Sequence, residues 1–98
     1  MIFEVHMYLG VACVTDKASY DYPIGEKHAF LFYLKEDKNA EYNPDRAEEL
    51  ISKLGFDKIE FSKAGKLDPD RVVGSDKEEY YDHAMKSGSS FVLYEDPM

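Results

Sequence analysis

The chain has 98 residues, of which 44% are apolar, and this composition favours one domain, residues 1–98, with its own core rather than a disordered tail. The net charge of -8 argues against a nucleic-acid binder, and the single cysteine excludes an internal disulfide framework and a multi-cysteine zinc site. No apolar run approaches the ~18 residues of a membrane span, and the N-terminus lacks a signal-peptide pattern, so we expect a cytoplasmic protein.

The first predicted element is a long strand over residues 2–14. The odd-numbered side chains from Phe3 to Cys13 are apolar, and Glu4, His6 and Tyr8 alternate with them. This period of two predicts a half-buried strand with its odd-numbered face in the core. We therefore expect Cys13 to pack there as a small apolar residue, and the face with Glu4, His6 and Tyr8 to meet solvent or a partner.

A second strand and a helix are predicted next. Residues 28–35 are apolar at both alternating sets of positions, which is typical of a strand buried on both faces at the centre of a sheet. Asn43 and Pro44 then form a helix-start signal, and apolar residues recur with helical spacing up to Leu54. Because Gly55 is a common helix stop, we expect the helix to span residues 44–54.

The second half of the chain predicts a strand, a helix and a strand. Residues 56–64 alternate as a third strand with one polar face. Asp68 and Pro69 repeat the helix-start chemistry of the first helix, and Ser75 with Glu78 matches a capping box. We expect a second helix over residues 76–86 and a last strand over residues 89–95.

The predicted order β-β-α-β-α-β indicates an α+β fold. Strand–helix–strand units favour parallel crossovers, whereas the first two strands favour an antiparallel hairpin, so we expect a four-stranded mixed sheet. Two helices are too few to cover both faces of such a sheet. The prediction is therefore a two-layer sandwich with two helices on one face.

The sequence contains no recognisable catalytic motif. His83 stands near Glu79 and Asp82 on the second predicted helix, but one histidine and two carboxylates are at most half a metal site. A solvated helix face is the commoner meaning of such a pattern. We predict no catalytic residue, no metal and no cofactor, and an enzyme that uses His83 is the weakest alternative.

Acidic residues around the second predicted helix are the strongest functional signal. Six acids and two bases lie between Asp68 and Asp82, with Tyr80 and Tyr81 among them. Neighbouring helix residues lie about 100° apart, so one of these tyrosines should reach the surface. Acids beside an exposed tyrosine suit a surface that binds a basic protein. The alternative is that the acids only keep the domain soluble and the loop tyrosines pack onto the sheet.

These observations favour a small acidic protein that neutralises or regulates a basic partner, such as the immunity protein of a nuclease-type toxin or an inhibitor of a nucleic-acid enzyme. It would contact neither nucleic acid nor a membrane. The expected contact residues are Asp76, Glu78, Glu79, Tyr80, Tyr81 and Asp82, with Tyr20, Asp21 and Tyr22 as a second patch. The alternative is a homodimeric regulatory module, paired through an edge strand and binding a small molecule between sheet and helices.

Overall fold

A computed structural model describes residues 2–97. Four strands form one sheet, and they are β1 (Phe3–Val14), β2 (Lys27–Asp37), β3 (Phe56–Lys66) and β4 (Ser89–Pro97). Three helices connect them, namely α1 (Pro44–Lys53), α2 (Pro69–Val72) and α3 (Glu78–Ser87). The chain is an α+β protein with the order β-β-α-β-α-α-β, which has one short helix more than predicted. Among the described residues, no helix has the length and apolar character needed to cross a membrane.

All neighbouring strands of the sheet are antiparallel, in the order β3-β1-β2-β4. The prediction of a mixed sheet is therefore wrong. Helix α1 does join two strands that run in the same direction, β2 and β3, but β1 lies between them. A strand–helix–strand unit thus yields no parallel pair here, because the first strand of the chain occupies the intervening position.

Helices α1 and α3 pack on opposite faces of the sheet, so the prediction that both helices lie on one face is also wrong. Tyr8 of β1 belongs to a buried cluster that includes Ile51 of α1. Val5 of the same strand belongs to a second cluster, with Ala84 of α3. Because even- and odd-numbered residues of a strand point to opposite faces, each helix covers a different side of the sheet.

The even-numbered face of β1 is the better buried one. His6 and Tyr8 are fully buried, and Cys13 is only half-buried and belongs to neither cluster. The expectations that His6 and Tyr8 face solvent and that Cys13 packs in the core are therefore wrong. Burial of Tyr8 is possible because its hydroxyl accepts the Asn43 N–H at 2.7 Å.

The helix signals act largely as predicted. The Asn43 side chain accepts the Arg46 N–H at 3.1 Å, Pro44 opens α1, and Gly55 follows Leu54 in the left-handed region at φ 101°. The predicted capping box of Ser75 and Glu78 is wrong, because α3 begins two residues later than predicted and its N-cap, Lys77, makes no side-chain capping bond. Ser75 instead donates its hydroxyl to the Val72 carbonyl, and Glu78 accepts the Gly74 N–H. The prediction that β2 lies centrally in the sheet is confirmed.

Candidate protein-binding surface

Five of the polar residues near the start of α3 share one shallow depression in the surface. Its lining residues are Ser75, Asp76, Glu78, Glu79 and Asp82. Within residues 2–97, no lysine or arginine lies within ion-pair distance of any of the four carboxylates. Glu78 and Glu79 occupy the first turn of α3, where the helix dipole favours negative charge. We call this the acidic depression. The Glu78 carboxylate accepts the Gly74 N–H at 2.5 Å, whereas Asp76, Glu79 and Asp82 are exposed.

The two neighbouring tyrosines of α3 have different environments, as the helical spacing predicts. Tyr80 is 36% exposed and its ring lies 5.8 Å from that of Tyr33. Tyr81 is buried in the cluster beneath α3, and its burial raises the pKa of its hydroxyl. Tyr80 is therefore accessible to a partner, whereas Tyr81 supports the helix from below.

The second predicted patch lies on the other side of the sheet. The Tyr20 ring packs 5.6 Å from Phe56, and the Tyr22 ring lies 4.3 Å from His28. Both tyrosines pack against the cluster that α1 covers, and Asp21 is exposed between them. Tyr20, Asp21 and Tyr22 therefore do not form one surface with the acidic depression.

An apolar part of the sheet remains uncovered on the side of α3. Helix α3 packs over Val5 and Tyr33, and the half-buried side chains further along this face belong to neither buried cluster. We define the open strip as the residues Leu9, Val11, Cys13 and Ala29. Val11 and Ala29 are direct cross-strand partners, so the strip is continuous from β1 to β2. The strip is not evident from the sequence, because the alternation along β1 indicates that this face lies in the core.

Charged residues border the open strip on both sides. Lys27 is the cross-strand partner of Cys13, and on β3 the partners of Leu9 and Val11 are Lys63 and Glu60. Near Leu9 and Lys63, a mostly apolar depression of about 220 Å³ extends the strip towards β3. An apolar centre with a charged rim is the usual anatomy of a protein–protein interface.

Two histidines that are fully buried contact carboxylates at opposite ends of the sheet. His6 Nε2 lies 2.6 Å from Glu4 Oε2, and His28 Nε2 lies 2.6 Å from Glu26 Oε1. In the register of β1 and β2, His28 is the partner of Ala12, six residues along the strand from His6, so the pairs are separate. Each pair is a local contact between residues i and i+2. His28 Nδ1 also lies 2.7 Å from the Tyr94 carbonyl oxygen, so both of its ring nitrogens have partners, whereas His6 Nδ1 is buried without a partner within residues 2–97.

Within residues 2–97, the side chains of the predicted half-site around His83 form no bonds with one another. His83, Glu79 and Asp82 are exposed, and among the described residues no hydrogen bond or ion pair joins them. No group of three or more histidine, cysteine, aspartate or glutamate side chains within residues 2–97 is arranged to hold a metal ion.

Comparisons with protein-family models, with curated proteins and with solved structures found no match.

Proposed function

We propose that the chain is a non-catalytic binding protein that docks on a basic protein and neutralises or regulates it, as an immunity protein or an enzyme inhibitor does. The observation that carries this proposal is that the acidic depression and the apolar open strip lie on the same side of the sheet. Within residues 2–97, no lysine or arginine neutralises the carboxylates of the depression. The proposed contact surface is the side of the sheet that α3 covers, and it includes the exposed Tyr80.

The acidic depression supports a basic partner. Its carboxylates resemble phosphate groups in charge and in their ability to accept paired hydrogen bonds from arginine. With a net charge of -8 on the whole chain, long-range attraction accelerates encounter with a positively charged surface. A basic groove that normally holds nucleic acid fits this chemistry.

The open strip supports a protein rather than a small cation. The half-buried apolar side chains of the strip still expose part of their surface, and burying that surface on association contributes affinity. Tyr80, which is exposed on α3 on the same side of the sheet, offers a rigid contact surface with a hydroxyl, and tyrosine is enriched among residues that dominate binding energy. A second copy of the chain placed face to face on this strip would bring two acidic depressions into one interface, which like-charge repulsion disfavours.

The proposal is tested with a pair of charge-reversed variants. One carries Glu79→Lys and Asp82→Lys on α3, and the matched control carries Glu48→Lys and Glu49→Lys on α1, on the opposite side of the sheet. All four side chains are exposed and both variants change the net charge equally. Tagged proteins are used to capture partners from native lysate at low salt, and the captured protein is purified and titrated against each variant.

We expect the native chain and the α1 control to retain the same basic protein, and the α3 variant to bind it at least ~10-fold more weakly. Added salt should weaken the complex, since exposed charges are screened over about 10 Å at 0.1 M. Equal affinity of the two variants would remove the acidic depression from the interface. Thermal unfolding of all three proteins should be nearly unchanged.

A further inference from the structure

The two edges of the sheet differ in how well they are protected against another strand. The register of β3 with β1 shifts twice, Lys58 has a positive φ of 49°, and Lys63 and Lys66 add charge. Bulges and lysines are common devices that prevent edge-to-edge pairing. Residues 89–93 of β4 have no charge, no proline and no register shift against β2. The β4 edge is therefore the unprotected one.

The hydrogen-bonding register identifies the free groups of this edge. The Lys35 N–H donates to the Gly88 carbonyl at 2.9 Å, which makes this a hydrogen-bonded pair of the antiparallel ladder. Such pairs alternate, so Ser90 and Val92 direct their N–H and C=O groups towards β2. The backbone groups of Ser89, Phe91 and Leu93 consequently point away from the sheet. Within residues 2–97, no other backbone hydrogen bond involves them.

We propose that a second copy of the chain adds to this edge, with the two β4 strands antiparallel about a two-fold axis at Phe91. In that register Phe91 lies opposite Phe91 of the other copy, and Ser89 lies opposite Leu93. Every outward backbone group of these three residues then has a partner. The free stretch is centred on Phe91, because beyond Leu93 the register of β4 with β2 shifts towards Pro97.

The charges at the ends of β4 also favour an identical antiparallel strand. The acidic end, Glu95 and Asp96, would lie beside the other copy's α3–β4 junction, which Lys86 precedes. A parallel arrangement would instead place the acidic ends together. Phe91 and Leu93 are half-buried on the α1 side, so pairing also covers apolar surface on a face that the proposed partner contact does not use.

Amide hydrogen exchange of the native chain, followed by NMR at low and high protein concentration, tests this inference. Ser90 and Val92 bond to β2 and should be protected at both concentrations. We expect Phe91 and Leu93 to exchange at least ~10-fold more slowly at the high concentration, in parallel with dimer formation in sedimentation equilibrium. Fast exchange of these two amides at both concentrations would overturn the proposal, whether or not a dimer forms elsewhere.

A matched pair of substitutions at one position gives a second measurement. Leu93→Pro removes an outward N–H and leaves the ladder with β2 intact, whereas Leu93→Ala shortens the same side chain and keeps that N–H. We expect the alanine variant to dimerise and the proline variant to be monomeric; dimerisation of a folded proline variant would contradict the inference. Added salt should strengthen the dimer of two acidic chains but weaken binding to a basic partner, so the two proposals fail independently.

Discussion

Glu4 Oε2 lies 2.6 Å from Nε2 of His6, a ring that solvent does not reach, while the glutamate side chain keeps 18% of its surface exposed. The same carboxylate accepts the Asn39 N–H at 3.0 Å and lies 3.3 Å from Lys66 Nζ. One partly exposed side chain thus connects β1 to the loop after β2 and to β3. It also provides the hydrogen-bonding partner that allows a histidine to be buried on this face.

Glu4 should make the stability of the fold depend on pH in the acid range. The Asn39 N–H, followed by His6 and Lys66, lowers the pKa of Glu4 from the 4.5 usual for glutamate to about 2. A folded-state pKa below the unfolded value stabilises the fold above pH 4.5, and this contribution is lost as the pH falls from 4.5 towards 2. We therefore expect Glu4→Gln to be less stable than the native chain at pH 7, with the difference shrinking towards pH 2.

Urea unfolding at several pH values measures this effect. Glu49→Gln is the matched control, because Glu49 is exposed and its one ion pair within residues 2–97 is with Lys53, across one helical turn. The free energy of unfolding of Glu49→Gln should differ little from that of the native chain at every pH, because most surface ion pairs contribute little to stability. If the free energies of unfolding of Glu4→Gln and the native chain differ by the same amount at pH 7 and at pH 2, the charge of Glu4 does not stabilise the fold.

Removal of a hydroxyl should have opposite effects at two buried tyrosines. The Tyr8 hydroxyl accepts the Asn43 N–H, so Tyr8→Phe should destabilise the fold by about 1 kcal/mol. The Tyr81 hydroxyl is buried without a hydrogen-bond partner in the described part of the chain, so Tyr81→Phe should be neutral or stabilise the fold by up to ~1 kcal/mol. Thermal and chemical unfolding measure both, and a marked loss for Tyr81→Phe would reveal a partner for that hydroxyl.

Two glycines of the sheet should respond differently to alanine. A Cβ at Gly10 would collide with the Glu60 carbonyl oxygen and the Phe30 ring, where β1 and β3 approach closely. Gly65 on β3 has open space around it and no positive φ. We expect Gly10→Ala to cost about 1–3 kcal/mol and Gly65→Ala to stay within about 0.5 kcal/mol of the native chain. If the two variants have similar unfolding midpoints, β1 and β3 can move apart at Gly10 without a measurable loss of stability.

The sequence predicts local elements better than their arrangement. Asn43, Pro44 and Gly55 define α1 almost to the residue, because the cap and the end of this helix are set by adjacent residues, whereas the equally local signal of Ser75 and Glu78 does not set the start of α3. Alternation along β1 predicts a strand but not its buried face, since that depends on distant contacts such as the bond from the Asn43 N–H to the Tyr8 hydroxyl. Which face each helix covers has no local signal at all.

The sequence also predicts only the local features of the candidate surface. Helical spacing predicts that Tyr80 and Tyr81 differ in exposure, and Tyr80 is the exposed one. The separation of Tyr20 and Tyr22 from α3 depends on the packing of a loop against the opposite face, which composition does not encode. The open strip follows from the length of α3, which leaves part of the sheet uncovered.

The placement of α1 and α3 on opposite faces divides the interior into two compartments, with the sheet as a partition. Losses of packing on the two sides should then be thermodynamically independent. Ile51→Ala and Met85→Ala should each lower the free energy of unfolding, and the loss in the double variant should equal the sum of the two single losses within about 0.5 kcal/mol. With such independence, substitutions could accumulate on the side that carries α3 without weakening the packing beneath α1. The cluster beneath α1 would continue to stabilise the fold.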